Sequence, residues 1–399
     1  MVLLGQQTVR GSSIRTEVPW PLLVTALFKR PALANLRGVL EAIGAGTRAS
    51  RERRRALTPV NPMPASDRRR ALTRLHRCPT IRPMHEMANL RAPAVDEARY
   101  HRERRAAILR DHPEARRLFG PCLGTALLAP MVVCCQFGLA WTMADAPWWL
   151  PLVLAYAAGA FLTHWLNVVI HECSHNLVFR STALNKALAI FANLPLVLPS
   201  AIAFRHYHLL HHRFLGQPRL DADVPLDWEM ALVGRSRWRK LLWILAQPLT
   251  YVLINPLAVR KHIAVDRWLV ANWVVVLSAS AAIAYWMGPS SLVYLALCSY
   301  FAVGPHPTGA HILQEHVLFE GTELTSSYYG PINVMSINHG FHVEHHDFPN
   351  VAGPRLGRLR TTASRHYSGR FYHRSRLATL WRFVMDPRIG LDSRAIVRA

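Results

Sequence analysis

Acid is scarce in this chain. Its 24 Asp and Glu face 47 Lys and Arg, a formal net charge of +23 over 399 residues. Lysine is nearly missing, supplying four of the 47. So lopsided a use of arginine follows a GC-rich genome more than a function, and no nucleic-acid-binding fold motif accompanies the charge. Cysteine occurs six times, at Cys78, Cys122, Cys134, Cys135, Cys173 and Cys298, never as CxxC. That excludes a disulfide framework and a zinc knuckle, and suits a reducing compartment. Charged residues make up 18% and apolar residues 51%, against about 25% and 45–50% in soluble domains. A disordered or fibrous chain is excluded.

Charge is missing in blocks. None stands between Arg117 and Asp145, none from Ala146 to Ile170, and none from Trp268 to Gln314, where Gly288-Pro289-Ser290-Ser291 splits the run. A bilayer crossing takes about 20 apolar residues, so these blocks predict four spans, at about 119–143, 147–170, 268–287 and 291–312. Residues 187–204 and 241–259 are also uncharged, but each holds two prolines, which interrupt a helix; they read as interfacial or re-entrant segments. The short connections lack Lys and Arg, whereas both ends and the 205–267 segment are rich in Arg, which puts the latter on the cytoplasmic side. Residues 1–92 hold 17 Lys and Arg against 5 acids. They read either as a basic disordered extension or as sequence upstream of a start at Met84 or Met87. Residues 93–399 then form the membrane domain.

Histidine is what the chain has in excess. Fourteen of its 21 fall within 164–212 and 306–346, where even scatter would put about five. Three clusters stand out. HECSH gives His171 and His175 at i, i+4; RHYHLLHH gives His208, His211 and His212 at i, i+3, i+4; HVEHH repeats that spacing at His342, His345 and His346. Such spacing lines imidazoles along one helical face. Eight histidines exceed what one tetrahedral zinc uses, so a two-metal centre is the economical reading, and His316 in QEHVLF is a further candidate ligand. It requires 187–204 not to cross, or the first two clusters would lie on opposite sides. His164, His206, His306, His311 and His339 flank the clusters as polar neighbours or additional ligands. Glu172, Glu315, Asn338, Glu344 and Asp347 stand beside ligands, placed either to orient imidazoles or to sit in solvent. A haem cytochrome would need facing histidines deep within spans, and a metal transporter would need ionisable ligands near the midplane; neither pattern is present.

The strings HRERRAAILRDHPEARRLFGP, IHECSHN, FANLPLVLPSAIAFRHYHLLHHRFLG, LDADVPLDWE, QEHVLF, SYYGPINVMSINHGFHVEHHDFPN and FVMDPRIGLDSR, in unbroken order from about Ala98 to Arg394, resemble the sphingolipid Δ4-desaturases of the membrane fatty-acid desaturase superfamily. The resemblance implies an all-α integral membrane protein with about four transmembrane helices and a cytoplasmic helical cap carrying a histidine-rich di-iron site. By the same token two iron ions would be held by the eight box histidines and His316. The implied reaction uses O₂ and external electrons to form the trans C4–C5 double bond of a sphingoid base in dihydroceramide-like lipids. A fatty-acyl desaturase or a sphingolipid C4-hydroxylase on the same scaffold is the alternative. The chain departs from the family pattern at His206, Leu210 and Val343 and at Asn338-His339-Gly340-Phe341, none of which removes a ligand. It contains neither HPGG nor GxGxxG, so a separate cytochrome b5-like or ferredoxin-like donor is implied. The expected setting is a multi-pass protein with its histidine boxes facing the cytoplasm, in a bacterial inner membrane or, in a eukaryote, the endoplasmic reticulum. No nucleic-acid partner is expected.

Overall fold

The computed structural model describes residues 97–394 apart from 219, 255, 256, 258 and 322. The basic stretch 1–92, with its candidate start codons, lies outside the described residues. Helix α1 (Glu97–Asp111) leads to α2 (Gly124–Thr142) and α3 (Leu150–Ser174). A bent pair follows, α4 (Thr182–Asn193) and α5 (Ala201–Arg213), then α6 (Asp227–Val233) and α7 (Arg237–Leu249). Next come α8 (Arg267–Trp286) and α9 (Pro289–Val303), and then the shorter α10 (His311–His316), α11 (His342–Asp347), α12 (Gly353–Thr362) and α13 (Arg376–Met385). The one paired sheet among the described residues is a two-residue parallel ladder, β1 (Ser327–Tyr328) with β2 (Tyr372–His373).

Three helices, α2, α3 and α8, are long and apolar enough to cross a membrane. The fourth expected span is shorter than its charge-free run. α9 has 15 residues and stops at Val303, because Gly304-Pro305-His306-Pro307 cannot continue a helix. The first span begins at Gly124 rather than near 119, since Phe119 and Gly120 pair with Val351 and Pro121 follows.

Polar side chains stitch these apolar helices together. Gln136 of α2 donates to Gly159 O (3.0 Å) and Thr163 Oγ1 (2.7 Å) of α3, and the Tyr294 hydroxyl of α9 donates to Gln136 Oε1 (3.0 Å). Gly159 lies in a π-helical turn, Ala155–Gly159, and a Cβ there would collide with Cys298 and Tyr294. Glycine thus sets how closely α3 and α9 approach.

The segment expected to be interfacial or re-entrant, 187–204, lies in the bent pair, whose helices meet at 116°. Pro195 and Pro199 end the helical ladder, and Val197 takes the left-handed conformation (φ 68°). Asn193 holds the corner. Its Oδ1 accepts from Ser200 N, Ala201 N and Asn272 Nδ2 at 2.9–3.0 Å, while Asn272 Oδ1 accepts from Ile202 N at 3.1 Å. Beyond the spans, Ile108, Leu118, Val343, Phe348, Val351, Leu356 and Leu359 form a core joining α1, α11 and α12. A second core joins α6, α7, α10 and α13 through Val233, Ile244, Leu313 and Phe383. Their outer faces keep Trp228, Trp238, Leu242 and Trp381 exposed, the composition of helices at a lipid headgroup layer.

Candidate metal centre

Each histidine cluster is a single helical turn pointed inward. His171 sits in the last turn of α3 and His175 caps its end. The corner at Val197 turns α5 back, so that His208, His211 and His212 meet that end: the His171 and His208 ring centroids are 4.6 Å apart. α11 contributes His342, His345 and His346, and α10 contributes His316.

The nine imidazoles gather into two nests. In the first, His175 Nε2 lies 2.9 Å from His208 Nε2, His208 Nε2 3.2 Å from His212 Nε2, and His212 Nε2 3.1 Å from His345 Nε2. His171 joins them, its ring 4.5 Å from that of His345. In the second, His342 Nε2 lies 3.0 Å from His316 Nε2 and 3.1 Å from His346 Nε2. His211 faces the rings of His316 and His346 at 4.7 and 5.2 Å.

Such contacts test whether metal ions fit. A neutral imidazole has one donor and one acceptor nitrogen. His208 Nε2 meets two other Nε2 atoms, and both ring nitrogens of buried His171 have no partner. Hydrogen bonds alone cannot satisfy the set. Donor atoms about 3.0 Å apart are what a first-row ion with bonds of about 2.1 Å at right angles requires, so the residues fit two ions bound by imidazole nitrogen. Burial, reinforced by neighbouring imidazoles, holds His208, His212, His316, His342, His345 and His346 well below the usual histidine range, which keeps them as neutral donors. His211 is the exception. Its burial is outweighed by Asp221 and Asp223, and it is raised.

The neighbouring acids divide. Glu315 stands 3.3 Å from His339 Nδ1 and 3.8 Å from His342 Nδ1. Glu172 lies 3.7 Å from His171 Nδ1 and also accepts from Gly353 N at 2.9 Å. Glu344 neither orients an imidazole nor meets solvent. It is fully buried and accepts from Ser327 Oγ (2.7 Å) and the Tyr329 hydroxyl (2.8 Å), with Arg360 beside it, because α11 turns this residue away from its histidines. Asp347 is likewise buried and takes His101 and Arg104. Asn338 stands at a left-handed backbone position (φ 62°) in the turn before α11. His164 lies outside both nests, against Ser336 Oγ at 3.2 Å and Arg376 at 3.3 Å, while His311 Nδ1 donates to Thr308 O at 2.7 Å. Sequence reasoning missed the carboxylate that holds His211: its Nδ1 donates to Asp221 Oδ1 at 2.9 Å, with Asp223 Oδ2 at 3.4 Å. The two acids of LDADVP were the available signal. It missed His101 as well, although HRERR precedes the first span.

A cavity of about 480 Å³ runs from the nests, past Phe204 and Tyr207, to Leu269 and Trp273 of α8. Its wall is mostly apolar, and Asp223, Tyr251, Asn167 and Glu315 also line it. Asp223 Oδ1 is buried without a partner.

The sequence pattern of the family described as fatty acid desaturase matches residues 147–376, and that described as sphingolipid Delta4-desaturase matches residues 95–123. Among similar chains, a sphingolipid delta(4)-desaturase DES1-like protein of Oryza sativa is 38% identical over 74% of this chain and 89% of its own length. The sphingolipid delta(4)-desaturase DES1 of Homo sapiens is 36% identical over 74% and 91%. A Caenorhabditis elegans relative, 35% identical over 73% and 80%, carries a name pairing the delta(4)-desaturase with a C4-monooxygenase.

Proposed function

Because this chain belongs to the fatty acid desaturase family, in its sphingolipid Δ4-desaturase branch, we propose that it is the oxidoreductase that forms the trans C4–C5 double bond in the sphingoid base of dihydroceramide-like membrane lipids. The observation that carries this reading is the convergence of eight imidazoles into two clusters, with His342 against His316 and His346 of the second, at the end of an apolar cavity.

His171, His175, His208, His212 and His345 would hold one iron, and His211, His316, His342 and His346 the other. Two irons supply the oxidising power from O₂ that an unactivated C–H bond demands and that no ordinary side chain provides. The chain's own residues bind and align. Ile170, Phe204 and Trp273 line an apolar cavity for the alkyl chain and exclude water. The reacting carbons lie next to the polar end of the lipid, so groups that read that end must stand close to the nests. Asp223, with its unpartnered oxygen, and Tyr251 do. O₂ takes two hydrogens from the lipid, with two electrons and two protons from outside, and leaves as two waters.

The electrons would come from a separate cytochrome b5-like or ferredoxin-like carrier. Arg358 and Arg365 suit an acidic partner, whereas Arg360 is occupied by Glu344. Charge reversal of Arg358 and Arg365 is expected to raise the KM for the donor and flatten its salt dependence; an unchanged profile would rule out that face. We place the nests on the cytoplasmic side of a four-span protein, and the enzyme proper within residues 93–399.

The test is lipid mass spectrometry in a sphingolipid-making host that lacks its own Δ4 activity. Long-chain bases should lose two hydrogens, and His345→Ala should abolish this. A gain of one oxygen would mean hydroxylation instead, and altered acyl chains with unchanged long-chain bases would mean an acyl desaturase.

A further inference from the structure

Helix α1 is a polar helix with a buried polar face. Glu97, His101 and Arg104 lie at i, i+4, i+7, which is one side of a helix, and Glu97 and His101 are buried although their neighbours Arg99 and Glu103 are exposed. Burying such groups costs free energy unless they are paired, so their partners say what the helix is for.

Those partners flank the second nest. His101 Nδ1 donates to Asp347 Oδ1 at 2.7 Å and Arg104 Nε donates to Asp347 Oδ2 at 2.6 Å. Arg105 donates to Asp347 O and Asn350 Oδ1 at 3.2 Å. Asp347 is the residue after His346, and the His101 ring lies 5.1 Å from that of His346. On its other side, His101 Nε2 accepts from Thr325 Oγ1 at 3.2 Å, and Thr325 Oγ1 lies 3.5 Å from His316 Nδ1. Glu97 accepts from Thr325 N. One set of tautomers runs through this chain, with Arg104 Nη2 also lying 3.0 Å from His101 Nδ1. His316 Nδ1–H donates to Thr325, Thr325 O–H to His101 Nε2, and His101 Nδ1–H to Asp347, which Arg104 anchors. His316 Nε2 is thereby left as the lone pair facing the nest. Ligating histidines commonly have the outer nitrogen fixed in this way.

We propose that α1 is a clamp specific to the second metal position: His101, Arg104 and Thr325 are positioning residues that fix the rings of His316 and His346. The contacts of Glu97, His101, Arg104 and Arg105 described above all fall beside these two ligands, and none falls on the first nest. The clamp also gives the segment 95–123 a role. That segment is matched by the narrower family pattern, whereas the general one begins at residue 147.

The inference rests on the two-iron reading, and the experiment separates the two. Iron per chain is measured by elemental analysis on full-length protein purified in lipid nanodiscs, with chelator competition and thermal melting. The wild type should carry two irons; any other number overturns the two-iron reading itself, before a variant is compared. His101→Ala should fall to about one iron per chain, with the first position retained and the particle monodisperse. His101→Asn, whose amide N–H stands in for Nδ1–H toward Asp347, should recover most of the second iron. Thr325→Val, nearly isosteric, should weaken one of the two irons by about tenfold, and Arg110→Ala on the exposed face should keep both. Two irons at wild-type affinity in both His101→Ala and Thr325→Val would overturn the clamp. So would parallel loss of both irons together with melting in His101→Asn, which would make α1 a packing element only.

Discussion

Asp221 is the carboxylate that holds His211, an imidazole of the second nest. It is buried and accepts three hydrogen bonds, from His211 Nδ1 (2.9 Å), Gly216 N (2.8 Å) and Asp223 N (2.8 Å). Asp221→Ala leaves three N–H donors without this acceptor. At about 1–3 kcal/mol for each donor left without its charged acceptor, the fold should lose roughly 3 kcal/mol or more. The effect on the ion is separate. Loss of a carboxylate behind a ligating imidazole costs 10–100-fold in affinity, about 1.4–2.8 kcal/mol. Asp221→Asn keeps an oxygen toward His211 and turns an amide toward Gly216, so it should lose less than tenfold. The assay is chelator competition for iron on purified protein, with melting of the metal-stripped protein recorded in parallel. If Asp221→Ala binds both irons as tightly as wild type while its melting point falls, Asp221 only staples the backbone at Gly216 and Asp223 and has no part in holding an ion.

Other outcomes follow from the same geometry. Ala203→Trp places an indole in the cavity beside Phe204, so desaturation should vanish while both irons remain; retained turnover of long-chain substrate would show that the lipid lies elsewhere. Gly159→Ala sets a methyl against Cys298 and Tyr294 and should destabilise the protein by about 1–3 kcal/mol, read as a lower melting temperature. In metal-stripped protein, the buried histidines held below their usual pKa refuse protons that the unfolded chain accepts. Stability should therefore drop as pH falls through about 6.5, and His211, raised by Asp221 and Asp223, contributes in the opposite direction. A melting temperature flat between pH 8 and 5.5 would contradict this.

The pairing of imidazoles was legible in the sequence because helical periodicity is local: residues four apart on a helix share a face whatever else surrounds them. Their supports were not. His101 and Asp347 are 246 residues apart, and His211 on α5 meets Asp221 in the segment that follows the helix. Nothing in local periodicity encodes such contacts. The spans were legible as blocks without charge, but hydropathy does not see where a helix stops, and Gly304-Pro305 ended α9 well short of its apolar run. The roles of Glu344 and Asp347 stayed open for a related reason. Acids beside ligands are adjacent in sequence, yet successive residues of a helix point about 100° apart, so adjacency to a ligand does not mean contact with it.

The Asn193–Asn272 corner ties the helix of the second histidine box to the apolar helix α8. Asn272 belongs to α8, a helix of 20 residues and about 30 Å, which matches the hydrocarbon thickness of an ordinary bilayer. A thinner or thicker bilayer is met by helix tilt. Tilting α8 moves the amide that grips Asn193 and Ile202, and Ile202 is less than two turns from His208 on α5. The start of the helix that carries the second histidine box is thus fastened to a membrane-crossing helix, and a shift of α8 would be felt first at that fastening.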